Sequence, residues 1–416
     1  MVCGSCLHDN ALAKSLRAAG HECVLQPLYT PIRTDTPSVA SDRLFFGGIH
    51  IYLLQKLPWL SHLPPSIKDA LRWPLNFPPL VRYLTRRSSS VDAASLGDLT
   101  LSMLRGTAGR QSDEAHRLID WIATEQPDML LWSNLLIAGT APDIRRSLPN
   151  TKQIAILQGD DIFLDHLGDP HRRSAIDLIH DKTESIDRLI VNSRFYARLM
   201  SDKLGIAPER FEVHPLTIEI DSTPLKHPDS STADQTPFRI GYMARIAPEK
   251  GLHILVDAFI EMSQTHPNIH LHVAGYLGQQ NADYFNDQIH KIAVAGLADR
   301  FTHHGEVDHH EKRSLLNRID VLSVPTTYAE PKGLFVLESL AEATPVIQPD
   351  HGAFPELIQS TAGGLLFPPG NPTALAEQLI HLHDHPKQKQ QLGTTGQKNV
   401  HQKHNIQTAT NSLLTP

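Results

Sequence analysis

The chain has 416 residues, which is too long for one ordinary domain and predicts two or three. Its net charge of -7 argues against a nucleic-acid-binding surface as its main function, so we expect no nucleic-acid partner. Three cysteines are too few for a disulfide scaffold and favour a reducing compartment, which predicts a cytoplasmic protein. No apolar run approaches the roughly 20 residues that a membrane-spanning helix needs.

The first half of the chain alternates predicted helices and strands. An opening turn contains Gly4, a helix is predicted over 10–19 and a strand over 22–28, so this unit resembles a βαβ unit whose first strand is missing. A helix over 112–125 is followed by three predicted buried strands, at 129–132, 153–157 and 188–192. This alternation predicts an open parallel sheet.

Ligands of such sheets collect at the carboxyl ends of the strands. The polar and small residues predicted to lie there are Gly4, Gln158, Asp160, Asp161 and Ser193. We therefore expect the first half of the chain to hold part of a ligand site at this edge.

A basic and aromatic segment lies at residues 50–90. Six Lys and Arg residues face one acid, Asp69, which gives a local charge of six minus one, or +5, and Trp59 and Trp73 lie among them. This composition fits peripheral contact with an anionic membrane face or with an acidic acceptor. An insertion that covers part of the first domain fits it at least as well.

The second half of the chain repeats the α/β pattern after a polar, Pro- and Ser-rich linker at 223–236. Strands are predicted at 238–242, 270–274, 301–305, 319–324, 344–348 and 364–367, with helices at 252–263, 284–295, 310–318 and 372–383. We predict an N-terminal domain over 1–222, a C-terminal domain over 237–395 and a tail or helix over 396–416, with a cleft between the two domains.

Two acids flank a tight turn after the strand predicted at 319–324. Glu330 precedes Gly333, and apolar residues recur at helical spacing from Leu334, which places Glu338 in the second helical turn. The free N–H groups at a helix start suit an anion such as phosphate. Because two carboxylates would repel a bare phosphate, we expect them to bind hydroxyls of a sugar attached to it.

Arg245 and Lys250 lie in the loop between the strand at 238–242 and the following helix. A guanidinium and an ammonium group together can neutralise a diphosphate, including the charge that develops as it leaves. An ordinary surface pair is the alternative. Two sites at one sheet edge favour a pocket for a phosphate and a polyol.

The 25 histidines of the chain include the adjacent pairs His303-His304 and His309-His310. Adjacent histidines seldom converge on one ion without further positioned ligands, so we expect no metal site. His304, at a predicted strand end, is the one we expect near the bound phosphate and polyol.

Several motifs together resemble glycosyltransferase family 4, a family of retaining enzymes. GYMARIAPEKGLHILVDAF resembles its donor-phosphate motif, and EPKGLFVLESLA resembles its pair of glutamates eight positions apart. HGEV, AFPELI and GGLLFPPGNPTALAEQL also agree, and the likeness runs from the first loop to about residue 380. Lys332 stands where the family pattern has an aromatic residue.

The resemblance implies a GT-B fold, with two Rossmann-like parallel-sheet domains facing across a cleft, and a hexosyltransferase that acts with retention and needs no metal or other cofactor. It implies that Arg245 and Lys250 hold the donor diphosphate, Glu330 the donor sugar and Glu338 the ribose. Backbone amides of Gly333, Leu334 and Phe335 would approach the phosphate or sugar, and Arg245, Lys250 and Glu330 would be the catalytic residues.

In the first domain, Gly4, Gln158, Asp160 and Asp161 are expected on the acceptor side or at the sugar. Gln158 or Asp160 stands near the place of a histidine that is often found close to the donor sugar in the family. The acceptor itself, whether glycan, lipid-linked or small molecule, is open. Two other functions also stay open: a non-catalytic protein that binds nucleotide sugars, and a nucleotide-sugar epimerase. Against the epimerase, the glutamates at 330 and 338 do not form the acid/base pair that such an enzyme needs.

Overall fold

The computed structural model describes residues 4–29, 34, 37–41, 44–46, 97–221 and 237–414. They divide into two compact units, the first ending at His214 and the second beginning at Pro215. The predicted linker at 223–236 and the basic segment at 50–90 lie entirely outside the described residues. The domain bounds inferred from the sequence stay a prediction.

The N-terminal unit contains a parallel sheet in the order β1-β2-β3-β4. Its strands are β1 (Met129–Trp132), β2 (Lys152–Ile156), β3 (Arg188–Val191) and β4 (Phe211–Val213). The helices are α1 (Gly4–Ala18), α2 (Gly97–Leu104), α3 (Ser112–Glu125), α4 (Ala141–Ser147), α5 (Asp160–His166), α6 (His171–Thr183) and α7 (Arg194–Leu204). Because neighbouring strands run parallel, their carboxyl ends share one edge.

Apolar residues of the middle strands form the core of this unit. Ala155, Leu189 and Val191 are fully buried and pack with residues of α3, α6 and α7. These strands read as continuous apolar runs because both faces of a parallel sheet are covered. The burial fixes the sheet, and with it the positions of the loops that follow β1 and β2.

The C-terminal unit contains a six-stranded parallel sheet in the order β10-β9-β8-β5-β6-β7. The strands are β5 (Phe238–Met243), β6 (Ile269–Ala274), β7 (Phe301–Gly305), β8 (Val321–Leu322), β9 (Val346–Pro349) and β10 (Gly364–Phe367). Strand order reverses between β8 and β5, which is the switch point where ligands of open α/β sheets bind.

Helices cover both faces of this second sheet. They are α8 (Leu252–Ser263), α9 (Ala282–Val294), α10 (His309–Arg318), α11 (Leu334–Ala341), α12 (Phe354–Thr361), α13 (Pro372–Asp384), α14 (Pro386–Lys403) and α15 (Ile406–Leu414). The last two helices belong to this unit, since Ile218 and Asn405 form a parallel bridge. No helix among the described residues is long and apolar enough to cross a membrane.

Three local predictions were wrong. A turn was predicted at Gly4, but Gly4 is the first residue of α1. In this first turn of the helix, Ser5 Oγ donates to the carbonyl of Gln158 across 3.2 Å, a tertiary contact that periodicity does not reveal. The strand predicted over 22–28 is reduced, among the described residues, to one bridge between Leu25 and Ala40. The strand predicted over 319–324 is reduced to Val321–Leu322, and beyond it the Val324 amide donates to the side chain of Gln348.

Candidate functional site

The loops that follow β5 and β8 lie against each other at the carboxyl edge of the C-terminal sheet. The two strands pair directly, at Ile240 with Val321 and at Gly241 with Leu322. Gly251 has a φ of 73°, and a Cβ there would lie 1.7 Å from the carbonyl oxygen of Pro325, so only glycine allows this approach. The Thr327 amide also donates to the carbonyl of Glu249 over 3.0 Å.

Lys250, Tyr328 and Glu330 form a hydrogen-bonded cluster between these loops, which we name the Lys250 cluster. Lys250 Nζ donates to Glu330 Oε2 at 2.7 Å and to Tyr328 Oη at 2.6 Å. Tyr328 Oη donates to the same carboxylate oxygen. The ammonium also lies 4.9 Å from the centre of the Tyr328 ring, within the range of a cation–π contact.

Glu330 is ionised in this cluster. Burial would raise the pKa of its carboxyl, but the Lys250 ammonium and the hydrogen bonds from Tyr328 and the Lys332 amide lower the pKa below its ordinary value. Burial, reinforced by the negative charge of Glu330, raises the pKa of Tyr328, which keeps its hydroxyl protonated. The cluster therefore holds one anion, one cation and one neutral donor.

The backbone around Glu330 is fixed from two sides. The amide of Ala353, in the turn after β9, donates to the Glu330 carbonyl over 2.8 Å. The amide of Lys332 bonds to the Glu330 carboxylate. Lys332 stands where the family pattern has an aromatic residue. Because Lys332 contacts Glu330 through its main chain, this contact does not depend on which side chain occupies the position.

Helix α11 begins directly beside this turn. Its N-cap, Gly333, has a φ of 78°, and a Cβ there would lie 3.0 Å from the Phe354 ring. Leu334 and Phe335 are the first two helical residues, and the N–H groups of a first helical turn have no acceptor within the helix. The helix start therefore offers backbone donors and a partial positive charge next to Glu330.

Glu338 lies one turn further along α11 and pairs with a lysine that the sequence reasoning did not select. Lys312 Nζ, on α10, donates to Glu338 Oε1 at 2.9 Å, and both side chains are largely buried. The ion pair fixes one carboxylate oxygen. Helical spacing alone could not reveal Lys312, because it comes from another helix.

Arg245 lies in the same loop as Lys250 but is more exposed. Its guanidinium donates to Glu249 at 2.5 Å, and each side chain of this pair is about two-fifths exposed, at 39% and 42%. Arg245 and Glu249 are both close enough to influence the Tyr328 hydroxyl electrostatically. Arg245 thus stands at the margin of the Lys250 cluster, held by an exposed and weak ion pair.

His304 is not part of the Lys250 cluster. It lies on β7, which is separated from β5 by β6, and its Nε2 is 3.1 Å from Nδ1 of His272. The two rings stack at 5.3 Å, and partial burial lowers the pKa of His304. A role of His304 at the donor stays a prediction.

In the N-terminal unit, the structure brings the predicted acceptor-side residues together at the ends of β1 and β2. Asp160 is 2% exposed, and its two oxygens accept from the amides of Leu135 at 2.7 Å and Gln158 at 2.9 Å. Burial raises the pKa of Asp160 to about 6. Its carboxylate ties the loop after β1 to the loop after β2.

The neighbouring side chains are likewise engaged. Tyr196 Oη donates to Asp161 Oδ1 at 2.8 Å and accepts from the amide of Gly159 at 2.9 Å. Gln158 Nε2 donates to Asp9 Oδ1 at 2.7 Å, which connects it to α1 just after Gly4. We name Gln158, Asp160, Asp161 and Tyr196 the Asp160 cluster.

Several residues of these clusters escaped the sequence reasoning. Tyr328 was not predicted, because it lies two positions before Glu330 in a loop, where no periodicity marks a tyrosine. Asp9 lies just before the helix predicted over 10–19 and was therefore not predicted to be part of α1. Two buried polar atoms near this edge, His8 Nδ1 on α1 and Asn134 Oδ1 after β1, have no hydrogen-bond partner in the described structure.

Comparison with known proteins finds a family match for most of the C-terminal unit. Residues 225–399 match the family model of glycosyl transferases group 1. This range contains the Lys250 cluster, α11 and Lys312.

Two curated relatives support the match. A glycogen synthase of Mycobacterium tuberculosis is 34% identical over 150 residues, which are 36% of this chain and 35% of that protein. The amylovoran biosynthesis glycosyltransferase AmsK of Erwinia amylovora is 27% identical over 242 residues, 56% of this chain and 57% of that one. The chain therefore matches between about a third and little more than half of these relatives' lengths.

A solved structure extends the likeness to both units. HepE of Anabaena, solved in complex with UDP and glucose, has a TM-score of 0.62 at 17% identity, with 94% of this chain and 98% of that chain covered. At this identity the likeness concerns the fold, which is GT-B, as the family resemblance implied.

Proposed function

We propose that this chain, which belongs to the glycosyl transferases group 1 family through its residues 225–399, transfers a hexose from a nucleotide diphosphate sugar to an acceptor hydroxyl with retention. The observation that carries the proposal is the Lys250 cluster beside the start of α11, with a partly buried cation and an ionised carboxylate 2.7 Å apart. HepE was solved with UDP and glucose, which supports a nucleotide-sugar donor here.

Lys250 and Arg245 suit the diphosphate. Lys250 has a flexible stem and is held by a carboxylate and a phenol, so it can turn to a phosphate without breaking backbone structure. The N–H groups at the start of α11 add a second set of donors to the same charge. These groups stabilise the diphosphate most when it carries the charge of a leaving group.

Glu330 and Glu338 suit hydroxyls of the donor. Glu330 is ionised, so it accepts hydrogen bonds and cannot serve as a proton donor at neutral pH. One carboxylate oxygen of Glu338 accepts a hydrogen bond from Lys312, and we assign the other oxygen to a hydroxyl of the ribose. The two acids thus recognise different parts of one molecule.

In the proposed reaction the bond between the anomeric carbon and the diphosphate oxygen breaks, and the oxygen keeps the electron pair. The acceptor oxygen bonds to the anomeric carbon on the same face, and its proton passes to the leaving phosphate. Lys250 and Arg245 stabilise that phosphate, so the proposal requires no metal ion or other cofactor.

The direct test is release of nucleotide diphosphate from UDP-, GDP- and ADP-hexoses in the presence of candidate acceptors. We expect release with one donor and dependence on an acceptor hydroxyl. Tight donor binding without release or sugar exchange would instead support a non-catalytic binding protein, and interconversion of the free donor sugar would support an epimerase.

A matched pair of variants tests the donor assignment. Glu338→Ala should raise KM for the donor by about 10- to 100-fold, since a hydrogen bond to a charged group contributes about 1.5–3 kcal/mol. Glu377→Ala removes an exposed glutamate of α13 and should leave KM unchanged. Equal KM values for the two variants would contradict the assignment.

We further propose that the protein works in the cytoplasm and that residues 50–90, with their local charge of +5, contact either an acidic acceptor or an anionic membrane face. Co-sedimentation with vesicles of phosphatidylserine and phosphatidylcholine distinguishes contact with a membrane from contact with an acidic acceptor. Binding that falls with added salt supports the membrane contact, and absence of binding favours the acceptor.

A further inference from the structure

Three side chains of the metal-ligating type converge in the C-terminal unit outside the Lys250 cluster. His266 follows α8, and His383 and Asp384 are the last two residues of α13. Nε2 of His266 lies 3.3 Å from Oδ1 of Asp384, and Nδ1 of His383 lies 2.8 Å from the same oxygen. One ligand atom of each residue lies within 4.8 Å of the other two.

These residues lie at the opposite edge of the sheet from Lys250. Helix α8 starts two positions after Lys250, and its 12 residues lead away from the carboxyl end of β5. A helix of that length covers about 18 Å. His266 then precedes β6, so the three residues stand at the amino ends of the strands, and a function there is independent of sugar transfer.

A second contact orients one of the imidazoles. Nδ1 of His266 lies 2.8 Å from the hydroxyl of Thr265, which leaves Nε2 directed toward Asp384. Histidines that bind metals commonly have their other nitrogen bonded in this way, because the bond fixes the ring and the tautomer. The His383 ring is packed edge-on against Phe238 at 5.3 Å, which restricts its movement.

The spacing and chemistry of the three atoms match a small transition-metal ion. At bonds of about 2.0–2.2 Å, the ligands of a tetrahedral zinc ion lie about 3.4 Å apart. The separation of 3.3 Å between His266 and Asp384 is close to this value, and the separation of 2.8 Å between His383 and Asp384 is shorter and has to widen when an ion binds. Two imidazoles and one carboxylate suit zinc, whereas calcium and magnesium take oxygen ligands. The side chains are 20%, 33% and 48% exposed for His266, His383 and Asp384, so an ion can enter.

We propose that His266, His383 and Asp384 bind a zinc ion that connects the end of α8 to the end of α13. The residues come from positions 118 apart in the chain, so no sequence spacing could reveal the site. The expectation of no metal rested on adjacent histidine pairs, which are other residues. An ion that binds only the folded chain stabilises it, so the site would fasten two helices of the C-terminal unit.

The test uses the full chain, freed of metal by a chelator and then dialysed. Zinc binding is measured by competition with a chromophoric chelator, and the unfolding midpoint is measured with and without zinc. The comparison is between wild type, His266→Ala, His383→Ala and the control His385→Ala. His385 lies next to Asp384, but its ring stacks on His381 instead.

We expect wild type and His385→Ala to bind one more zinc ion than the two ligand variants, or to bind it at least about tenfold more tightly. Zinc should also raise the unfolding midpoint of wild type and His385→Ala only. Equal affinity and equal midpoint shifts in His266→Ala and wild type would overturn the proposal, as would an equal loss in His385→Ala.

A milder variant keeps the test decisive if a ligand variant does not fold. Thr265→Val removes the hydroxyl next to His266 and keeps the shape of the side chain. Thr265 is a positioning residue here, and its loss should weaken zinc binding about tenfold without changing the number of sites. Unchanged affinity in folded Thr265→Val would count against the proposed orientation of His266 and hence against the site.

Discussion

The Lys250 cluster and the Asp160 cluster each place a buried carboxylate at the carboxyl edge of a parallel sheet, but the two carboxylates have different partners. Glu330 is held by an ammonium group, a phenol and one amide, and its pKa is lowered. Asp160 is held by the amides of Leu135 and Gln158, and its pKa is raised to about 6. Burial acts on both, and only Glu330 has a cation beside it.

The difference shows how a buried acid can be assigned to a ligand or to the fold. The partners of Asp160 are main-chain groups that cannot leave without moving a loop. The partner of Glu330 is a lysine side chain that can turn to a phosphate. We infer that the Lys250 cluster is built to exchange partners and that Asp160 is built to keep its own.

The largest expected effect is that of Lys250→Ala. It removes the cation closest to the proposed leaving group and leaves Glu330 buried without its charge partner. We expect kcat for transfer to fall by about 10²–10³-fold, the usual cost of removing one preorganised group that stabilises developing charge. Steady-state release of nucleotide diphosphate measures it.

Lys291→Ala is the matched control for this prediction. Lys291 pairs with Asp257 at 2.8 Å on the surface, and both side chains are substantially exposed, so its loss should leave kcat unchanged. If Lys250→Ala folds and transfers as fast as Lys291→Ala, the Lys250 cluster is not the catalytic site.

For Asp160→Ala we expect lost stability with an unchanged KM for the donor. The variant leaves two buried amides, of Leu135 and Gln158, without an acceptor, at about 1–3 kcal/mol each. Denaturant unfolding measures the loss, and titration with the nucleotide diphosphate measures donor binding. A stable variant with weakened donor binding would reverse the comparison between the two clusters.

The two carboxylates should also give stability an opposite dependence on pH. Asp160 has a folded pKa of about 6 against an ordinary 3.8, so its contribution is present at low pH and is lost as pH rises through about 6, by up to about 3 kcal/mol. Glu330 has a folded pKa below its ordinary 4.5, so its contribution is present above 4.5 and is lost as pH falls through the lower folded value.

Unfolding midpoints from pH 3 to 8 separate the two carboxylates. Relative to Asp160→Ala, wild type should lose stability between about pH 4 and 6 as pH rises. Relative to Glu330→Gln, wild type should gain stability as pH rises to about 4.5. Slopes of the same sign in both comparisons would show that the burial of these acids, and not their partners, decides their behaviour.

Smaller effects on kcat and stability are expected when the tyrosine of each cluster is replaced by phenylalanine. Tyr328→Phe keeps the ring near Lys250 but removes the hydroxyl that donates to Glu330, which should lower kcat severalfold at a cost of about 1 kcal/mol in stability. Tyr196→Phe removes the hydroxyl between Asp161 and Gly159 and should cost similar stability with kcat unchanged. Equal kcat values in the two variants would contradict a special role of Tyr328.

The smallest predicted effect is that of Lys312→Ala. It frees Glu338 to move without removing it, so we expect KM for the donor to rise about threefold and kcat to stay constant. Lys203→Ala, which breaks an ion pair with Asp165 in the other unit, is the control. A KM that rises as far in the control would show that the effect is unspecific.

The fold was largely predictable because parallel strands leave a strong signal. The strand at 364–367 and the helix at 252–263 were predicted at the observed bounds, since apolar runs and helical spacing mark buried elements. The strand over 22–28 was not found, because a short apolar run does not establish that a partner strand exists.

The candidate site was predictable only in its outline. Motif spacing indicated Lys250 and Glu330, but not that they contact each other, since the pairing of β5 with β8 joins positions 80 apart. Lys312 was missed for the same reason. Asp160 was chosen from its place at a strand end, which does not tell whether its oxygens face a ligand or the main chain.

The missing side chain of Gly251 has a mechanical consequence. The Pro325 carbonyl occupies the space of a Cβ, and the Thr327 amide donates to the carbonyl of Glu249, so the loops after β5 and β8 contact each other at two backbone points, one of them a hydrogen bond. We therefore expect that binding of the proposed donor moves the side chain of Lys250 and leaves the backbone of its loop in place. In the proposed glycosyltransferase, the backbone would thus stay in place while the ammonium group moves.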